Sequence, residues 1–446
     1  MHLLNVRTRQ LQEFIGNSIP PYAILSHTWG EDEVLFQDLS TPEHKEKLGY
    51  HKIEGCCQQA IDDGINFVWI DTCCIDKKSS AELSEAINSM FRWYGEAQVC
   101  YVYLVDVLGI VGSDELYSTF RHSKWFTRGW TLQELIAPTN IRFLDTMWLT
   151  IYYINKESYS DWNNRNIYNH MIEEITGIRR WYNYAFEKLN DKERYTDVPI
   201  ATKLSWASGR RTARVEDMAY CLLGLLEISM PLLYGEGHKA FLRLQEEFLK
   251  KHHDPTILCR GFRMDYLETQ SINSAFGASC LAPTPLLFRG FRNVTPRKTY
   301  IVRPPQRMGW TVTPGGLHIE LPIVQVDTQN NVYLGMTNYC DSENRDTRLV
   351  IPIYKVDGSD IYAYASTCGP FFLSRVGKVF NLAKLKEHLK TIYLDNSPPP
   401  LSSEPSGGPI LRMGALFEAG FVLDSVYPPT SKIGRDYVEC PNNTPF

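Results

Sequence analysis

Between Tyr22 and Asp145 the sequence alternates short apolar runs with stretches of helical period, and that alternation limits the fold more than any other feature of the chain. "YAILS" (Tyr22 to Ser26) is a buried-strand run bounded by Pro20-Pro21 and Trp29-Gly30. Ile53, Cys56, Cys57, Ala60 and Ile61 then fall at i, i+3, i+4, i+7 and i+8, one face of a helix that Gly64 can stop. "FVWID" (Phe67 to Asp71) is a second strand. Ser79 and Glu82 have capping-box spacing before a helix with the stripe Leu83, Ala86, Ile87 and Met90. "VCYVYLVDV" (Val99 to Val107) and "IRFLD" (Ile141 to Asp145) supply two more strands. Buried strands separated by amphipathic helices predict a parallel sheet with helices on its faces.

The pattern changes twice after that. Residues 150–195, rich in Asn and Tyr, read as an irregular, partly helical insertion. From Lys203 to His252 the period is helical again, with Glu216 and Asp217 placed to open a helix and Pro231 to break it. Ala219, Leu222, Leu223 and Leu226 give that stretch an apolar stripe, which predicts packing against the first domain, with Arg210 or Arg211 reaching one of its acids. After Asp254, "LHIELPIVQV", "VYLGM", "RLVIPIYKV" and "DIYAYAS" are strand-like runs separated by Gly, Asp and Asn. They predict an all-β domain, sandwich or barrel-like, with a flexible loop at Asn396 to Pro409. The expected domains are an α/β core at 1–150, its insertion and helical extension at 151–254, and a β-rich domain at 255–446 with a regulatory or recognition role.

Composition excludes several classes. The net charge of −5, with no long Lys/Arg run, argues against a nucleic-acid partner. "MHLLNVRTRQLQEF" has no apolar h-region, and Glu227 and Pro231 interrupt the most apolar window, so neither a secretory signal nor a membrane span is expected. Eleven cysteines in such a chain are expected to be reduced thiols of a cytoplasmic protein. The adjacent pairs Cys56-Cys57 and Cys73-Cys74 lack zinc-site spacing, and no metal site is expected. The Gly-rich dinucleotide and P-loop motifs, H-E-x-x-H and G-x-S-x-G are absent, which lowers the weight of dehydrogenases, P-loop NTPases, zincins and ordinary α/β hydrolases.

The candidates for chemistry come from position. Ligands of an open parallel sheet bind beyond the carboxyl ends of its strands. Ser26, His27, Trp29 and Gly30 follow the first strand; Asp71 and Asp76 follow the second; Arg128, Trp130 and Glu134 come after the third. Acids for sugar hydroxyls, indoles for stacking and Arg128 for phosphate suit a nucleotide or ribose ligand. Each has a structural alternative. His27 fits a core histidine bonded to backbone, Asp71 a turn cap, and Trp125 and Trp130 packing residues. Cys73 or Cys74 fits a nucleophile with His27 as base, against the commoner buried thiol. Glu134, flanked by Leu132, Leu135 and Ile136, is an acid that needs a partner or a task. At a strand edge it is expected to face a wet cleft, where its neutral variant would change stability little.

Four segments resemble the fungal heterokaryon-incompatibility (HET) domain: "YAILSHTWG", "GINFVWIDTCCIDKKSSAELSEAINSMFRWYGEAQVCYVYLVDV", "SKWFTRGWTLQELIAP" and "KLSWASGRRTARVEDMAYCLLGLLEISMPLLYGEG". The β-rich remainder, with "ILCRGF" and "CLAPTPLLF", is similar to the accessory domain that often follows it. The HET domain in turn resembles Toll/interleukin-receptor (TIR) domains, and "WTLQEL" is similar to the TIR pattern W-C-x-x-E-L, with Thr131 in place of Cys. This resemblance implies a TIR-like, flavodoxin-like α/β fold. It implies an effector of cell death in non-self recognition, with NAD as substrate rather than cofactor and Glu134 as the catalytic acid. It also implies assembly into a homo-oligomer on activation and a regulatory protein partner. Two alternatives remain open from the residues: a non-catalytic adaptor acting by self-association, and an enzyme acting on another nucleotide or metabolite at the same site.

Overall fold

The computed structural model describes residues 1–156 apart from 17, together with 167–178, 198–260, 280–296, 310–313, 315–327, 331–345, 347–356, 358–364, 371–374, 389–395, 410–412, 426–427 and 437–439. The loop read at Asn396 to Pro409 and much of the Asn/Tyr-rich insertion lie outside them. The chain divides into two compact units, Met1–Arg194 with Arg210–Gly237, and Tyr195–Gly209 with His238–Phe446.

The first unit is built on a seven-stranded mixed sheet of order β2-β1-β4-β3-β5-β6-β7. Its strands are β1 (His2–Asn5), β2 (Leu11–Glu13), β3 (Ala23–His27), β4 (Phe67–Trp69), β5 (Val99–Tyr103), β6 (Asn140–Leu144) and β7 (Thr150–Asn155). The four strands expected from the apolar runs are β4, β3, β5 and β6, and they are mutually parallel. β3 and β5 are buried along their whole length, as strands covered on both faces must be.

Three strands were not expected, and they make the sheet mixed. β1 pairs antiparallel with β2 and β4, and β7 pairs antiparallel with β6. Side-chain acceptors make both tight turns: Asn5 Oδ1 takes the N–H of Arg7 and Thr8 at 3.0 Å, and Asp145 Oδ1 takes those of Met147 and Leu149 at 2.9 Å. β2 and β7 are edge strands with exposed residues, so neither shows the continuous apolar run of a central strand.

Helix α1 (Tyr50–Asp62) connects β3 to β4 and buries Ile53, Cys56, Cys57 and Ala60. It ends as the chain turns through Gly64 at φ +73°. Helix α2 (Ser80–Glu96) connects β4 to β5 and buries Ala86, Ile87, Met90, Trp93 and Tyr94. Ser79 caps α2 by accepting the Glu82 N–H at 3.3 Å, but the reciprocal half of the expected box does not form. Glu82 Oε1 instead accepts the Asp76 N–H and contacts His2 Nδ1, both at 3.0 Å. Helices α3 (Asp114–Arg121) and α4 (Thr131–Ile136) lie between β5 and β6, and α5 (Ile167–Thr176) follows β7. Because β4 lies on one side of β3 and β5 on the other, the strand order reverses at the β3/β5 boundary. Ligands of open α/β sheets bind beyond the strand ends at such a point.

Residues 210–237 pack into this first unit, as their apolar stripe predicts: Ala219, Leu222, Leu223 and Leu226 are all buried. The backbone is not the long helix expected. Only Asp217–Tyr220 is α-helical, and the bonds Leu222 to Ala219, Leu223 to Tyr220 and Glu227 to Gly224 span three residues each, a tighter winding. Gly224 allows close approach to α2, since a Cβ there would lie 2.0 Å from the Phe91 Cβ.

In the second unit, helix α6 (Ile200–Ala207) is fully buried, and its Thr202 hydroxyl donates to the Phe291 and Val294 carbonyls at 3.0 and 3.1 Å. Helix α7 (Lys239–Lys251) is tied to the following chain by Gln245, which exchanges hydrogen bonds with the Ala282 backbone. An expected domain boundary at 254 therefore falls inside this unit. The β-rich part contains β10 (Gly316–Asp327), β11 (Val332–Met336), β12 (Tyr339–Asp341), β13 (Thr347–Lys355), β14 (Ile361–Tyr364), β15 (Phe371–Ser374) and β16 (Leu389–Asp395), numbered in chain order after β8 (Val294–Pro296) and β9 (Thr311–Thr313). β11 pairs with both β10 and β13, and β10, β16, β14 and β13 complete the circuit. The result is a closed ring of strands, antiparallel except for β14 with β16, with β9 pairing on β10 outside the ring.

The contact of Gly224 with Phe91 makes a sharp prediction. Gly224→Ala should destabilise the protein by about 1–3 kcal/mol through overpacking, read as a lower urea midpoint. An unchanged midpoint would mean that residues 210–237 do not dock on α2 as described.

Candidate functional site

Glu134 lies on α4, a helix of six residues that is too short to be stable alone. Contacts at both ends fix it. At its start, the Thr131 hydroxyl donates to the Trp125 and Arg128 carbonyls at 2.6 and 2.9 Å. Arg210 donates to the Arg128 carbonyl at 2.9 Å and to the Thr131 hydroxyl at 3.0 Å. The Gly129 N–H reaches the Arg211 carbonyl at 2.8 Å, and a Cβ on Gly129 would come within 2.5 Å of Thr212. That close approach accounts for the glycine in "RGW". At the far end, the buried Lys156 ammonium donates to the Leu135 and Ile136 carbonyls at 2.8 and 2.7 Å, where a cation suits the free carbonyls of a helix end. Burial pulls the Lys156 pKa down to about 7, against the raising effect of the nearby Cys100.

The carboxyl of Glu134 points into the protein. The Ser26 hydroxyl donates to Glu134 Oε2, and the Trp125 Nε1–H donates to Ser26 Oγ at 2.7 Å. The indole of Trp125 is itself buried against Phe126 and Phe143. Tyr94, whose hydroxyl donates to the Leu25 carbonyl at 3.0 Å, lies near enough to the carboxyl to favour its ionised form. Only 6% of Glu134 is exposed. The expectation of an acid in a wet cleft is therefore corrected, because the acid follows β3 inward instead of lying on the rim. Burial drives its pKa up to about 8, opposed by Ser26 and reinforced by the charge of Asp71. No ion pair joins Glu134 to Arg128 within 4.0 Å, although Arg128 lies close enough to favour its charged form.

Successive side chains of a strand leave on opposite faces, and this separates Ser26 from His27. Ser26 belongs to the Trp125–Glu134 chain. The nearly buried His27 ring has Glu33 at 3.9 Å on Nε2 and Asp71 at 3.9 Å on Nδ1, too far for hydrogen bonds. Neither ring nitrogen has a hydrogen-bond partner, so the core-histidine alternative, with a backbone bond, is not what forms. Burial lowers the His27 pKa to about 3, with Lys52 acting the same way and Glu33 opposing, so the ring is neutral near pH 7. Glu33 is held by Lys52 and by the Gly30 N–H.

Asp71 joins the two sets. Its carboxylate accepts the Trp29 Nε1–H at 2.8 Å, and its Oδ1 has no partner. It does not cap the turn after β4, since the Cys73 and Cys74 N–H groups go to the Ile70 carbonyl. Burial raises its pKa, against Lys77 and the Trp29 bond. Trp29 is 43% exposed, and the Lys77 ammonium lies 3.6 Å from the centre of its ring. Lys77 and Lys52 were not singled out from the sequence; a loop lysine and a helix lysine carry no local signal that they reach a strand end.

Other expected residues fall elsewhere. Asp76 accepts from Gln37 and the Lys78 N–H, which is turn structure. Trp130 acts on Asp217, favouring its ionised form, and the indole on the Glu134 chain is Trp125. Cys73 and Cys74 are buried, and the neighbouring Cys74 thiol together with burial pushes the Cys73 pKa up, which weighs against Cys73 as a nucleophile. Among the described residues no group of three or more His, Cys, Asp or Glu is arranged to hold a metal, and no helix is long and apolar enough to cross a membrane.

Residues 22–108, from the start of β3 to just beyond β5, match the family described as "Heterokaryon incompatibility protein (HET)". The chain is similar to the vegetative incompatibility protein HET-E-1 of Podospora anserina, 45% identical over 249 residues. The match covers 54% of this chain but only 17% of that protein. No solved structure matches the chain. The strand-end cluster of Ser26, His27 and Asp71 thus lies within a stretch of known family, and the chain contains a heterokaryon-incompatibility (HET) domain.

Proposed function

We propose that this protein is an effector of cell death in non-self recognition, and that it cleaves the N-glycosidic bond of NAD or a related nucleotide with Glu134. The observation that carries this reading is a carboxyl buried at the carboxyl end of the parallel strands, held by Ser26, which Trp125 bonds in turn, and unpaired with any cation among the described residues. The resemblance of "WTLQEL" to the TIR pattern and the incompatibility role named for the Podospora relative support it.

The chemistry needs one carboxylate. The bond between ribose C1′ and the pyridinium nitrogen breaks, its electron pair goes to that nitrogen, and nicotinamide leaves neutral. Positive charge then develops at C1′ and the ring oxygen, where an ionised Glu134 stabilises it. Water adds to C1′ and gives up a proton. With a pKa near 8, resting Glu134 mostly carries a proton at pH 7. A cationic nicotinamide ribosyl group nearby would favour ionisation, so substrate and acid activate each other. On this reading activation involves assembly into a homo-oligomer, under control of a regulatory partner.

The inward burial of Glu134 favours a second reading, a non-catalytic module that acts by self-association. Glu134→Gln separates the two. Catalysis predicts at least a hundredfold loss of nicotinamide release, about 3 kcal/mol of transition-state stabilisation, together with loss of killing on overexpression. Full killing by a stable Glu134→Gln protein, with cellular NAD untouched, would leave the self-association reading in place. Wild-type turnover should also rise with pH towards about 8, as the carboxyl ionises.

The same variant tests the buried acid itself. The folded protein keeps the Glu134 proton between the ordinary carboxyl range and about pH 8, whereas the unfolded chain releases it. Wild-type stability should therefore fall as pH rises through that window, by on the order of several kcal/mol. Glu134→Gln lacks this loss, so its stability relative to wild type should climb from pH 5 to pH 9. Parallel urea curves for both proteins across that range would show that the carboxyl is not buried in the neutral form.

A further inference from the structure

Lys77 stands in an unusual electrostatic position. Its Nζ is shielded from solvent, and among the described residues it has no hydrogen-bond acceptor and no carboxylate within salt-bridge distance. It lies over the face of the Trp29 indole, 3.6 Å from the ring centre. A shielded ammonium without an acceptor is costly, and such groups are normally paired or neutralised. Burial does lower the Lys77 pKa, while Asp71 acts to raise it. Lys52, the other lysine of the cluster, is by contrast satisfied by Glu33 and the Thr28 carbonyl.

A second cation shares the situation. Arg128 lies within electrostatic range of His27, Asp71 and Glu134, and its guanidinium makes no hydrogen bond or ion pair among the described residues. Lys77 likewise acts on both His27 and Asp71. Both uncommitted cations thus act electrostatically on the groups at one strand end. The adjoining groups, His27 with two free ring nitrogens and Asp71 with a free Oδ1, suit ribose hydroxyls.

We propose that Lys77 and Arg128 form a diphosphate-binding pair, so that the ligand of this site is a nucleoside diphosphate or its ester, and not a nucleoside or a free base. This rests on reading the strand-end cluster as the substrate site. Arg128 offers a planar fork to one phosphate and Lys77 a point charge to the other. Trp29, which is exposed and held to Asp71 by one hydrogen bond, lies over the ammonium and must shift as the anion arrives. Asp71, left without that bond, then faces the sugar.

The test is binding to the full chain by calorimetry, with inorganic pyrophosphate, ADP, NAD and nicotinamide riboside as probes and Lys77→Met, Lys77→Gln and Lys77→Arg as variants. Circular dichroism checks that each variant folds. Pyrophosphate, ADP and NAD should bind wild type and weaken by roughly tenfold or more in Lys77→Met and Lys77→Gln, with recovery in Lys77→Arg. Nicotinamide riboside, which has no phosphate, should be indifferent to all three changes. ADP and pyrophosphate binding through Lys77 without any NAD cleavage would keep this proposal and end the glycohydrolase reading. NAD cleavage with an unaltered KM in a folded Lys77→Met protein would do the reverse. Failure of wild type to bind pyrophosphate or ADP, or equal weakening of nicotinamide riboside in Lys77→Met, overturns the proposal.

Discussion

The hydroxyl of Ser26 is the contact on which the first unit's organisation turns. It accepts from the Trp125 indole and donates to Glu134, and so joins the end of β3 to a helix more than a hundred residues away. A carboxyl in that place loses most of its hydration, and the Ser26 hydroxyl replaces only part of it. Such an arrangement persists only if the surrounding chain holds it. Each end of α4 accordingly receives a donor from far along the sequence: Arg210 and the Gly129–Arg211 backbone bond at its start, Lys156 at its finish. The return of residues 210–237 into the first unit and the edge strand that precedes Lys156 both serve to fix Glu134.

Much of this fold is legible in the sequence, for a reason that also sets the limit. The central strands β3, β4, β5 and β6 are apolar because both faces are covered, so their runs stand out. The stripes of α1 and α2 follow from helical period, and Glu134 stands out because apolar residues flank it. β2 and β7 do not stand out, because an edge strand with exposed residues lacks a central strand's pattern. The Asp145 turn that launches β7 uses one side-chain acceptor for two N–H groups, and nothing about an aspartate before Thr-Met-Trp distinguishes that use.

The candidate site divides along the same line. That Ser26, His27, Asp71 and Glu134 come near one strand end follows from the position of each after a strand. That Ser26 and His27 serve different faces follows from strand alternation, a rule available from sequence alone. Which indole meets the acid does not follow, since Trp125 and Trp130 are both at hand and only packing against Phe143 selects Trp125. Lys52, Lys77 and Lys156 were invisible for a different reason. A lysine side chain is long and most lysines are solvated, so only the three-dimensional fold reveals one whose ammonium is buried.

The charges around this strand end follow a single physical logic. Glu134 and His27 are both held towards their neutral forms by burial, one above and one below its ordinary pKa. The formal charge that remains is Asp71, the Glu33–Lys52 pair and the two uncommitted cations. At neutral pH the cluster is therefore net positive near Asp71 and nearly uncharged near Ser26. A dinucleotide that places its diphosphate against Lys77 and Arg128 would bring a pyridinium towards the neutral end. On the proposed function that cation would favour the ionised form of Glu134, the form that cleavage would require. Resting burial and catalytic competence would then be two protonation states of one carboxyl, with the charge distribution of the ligand selecting between them.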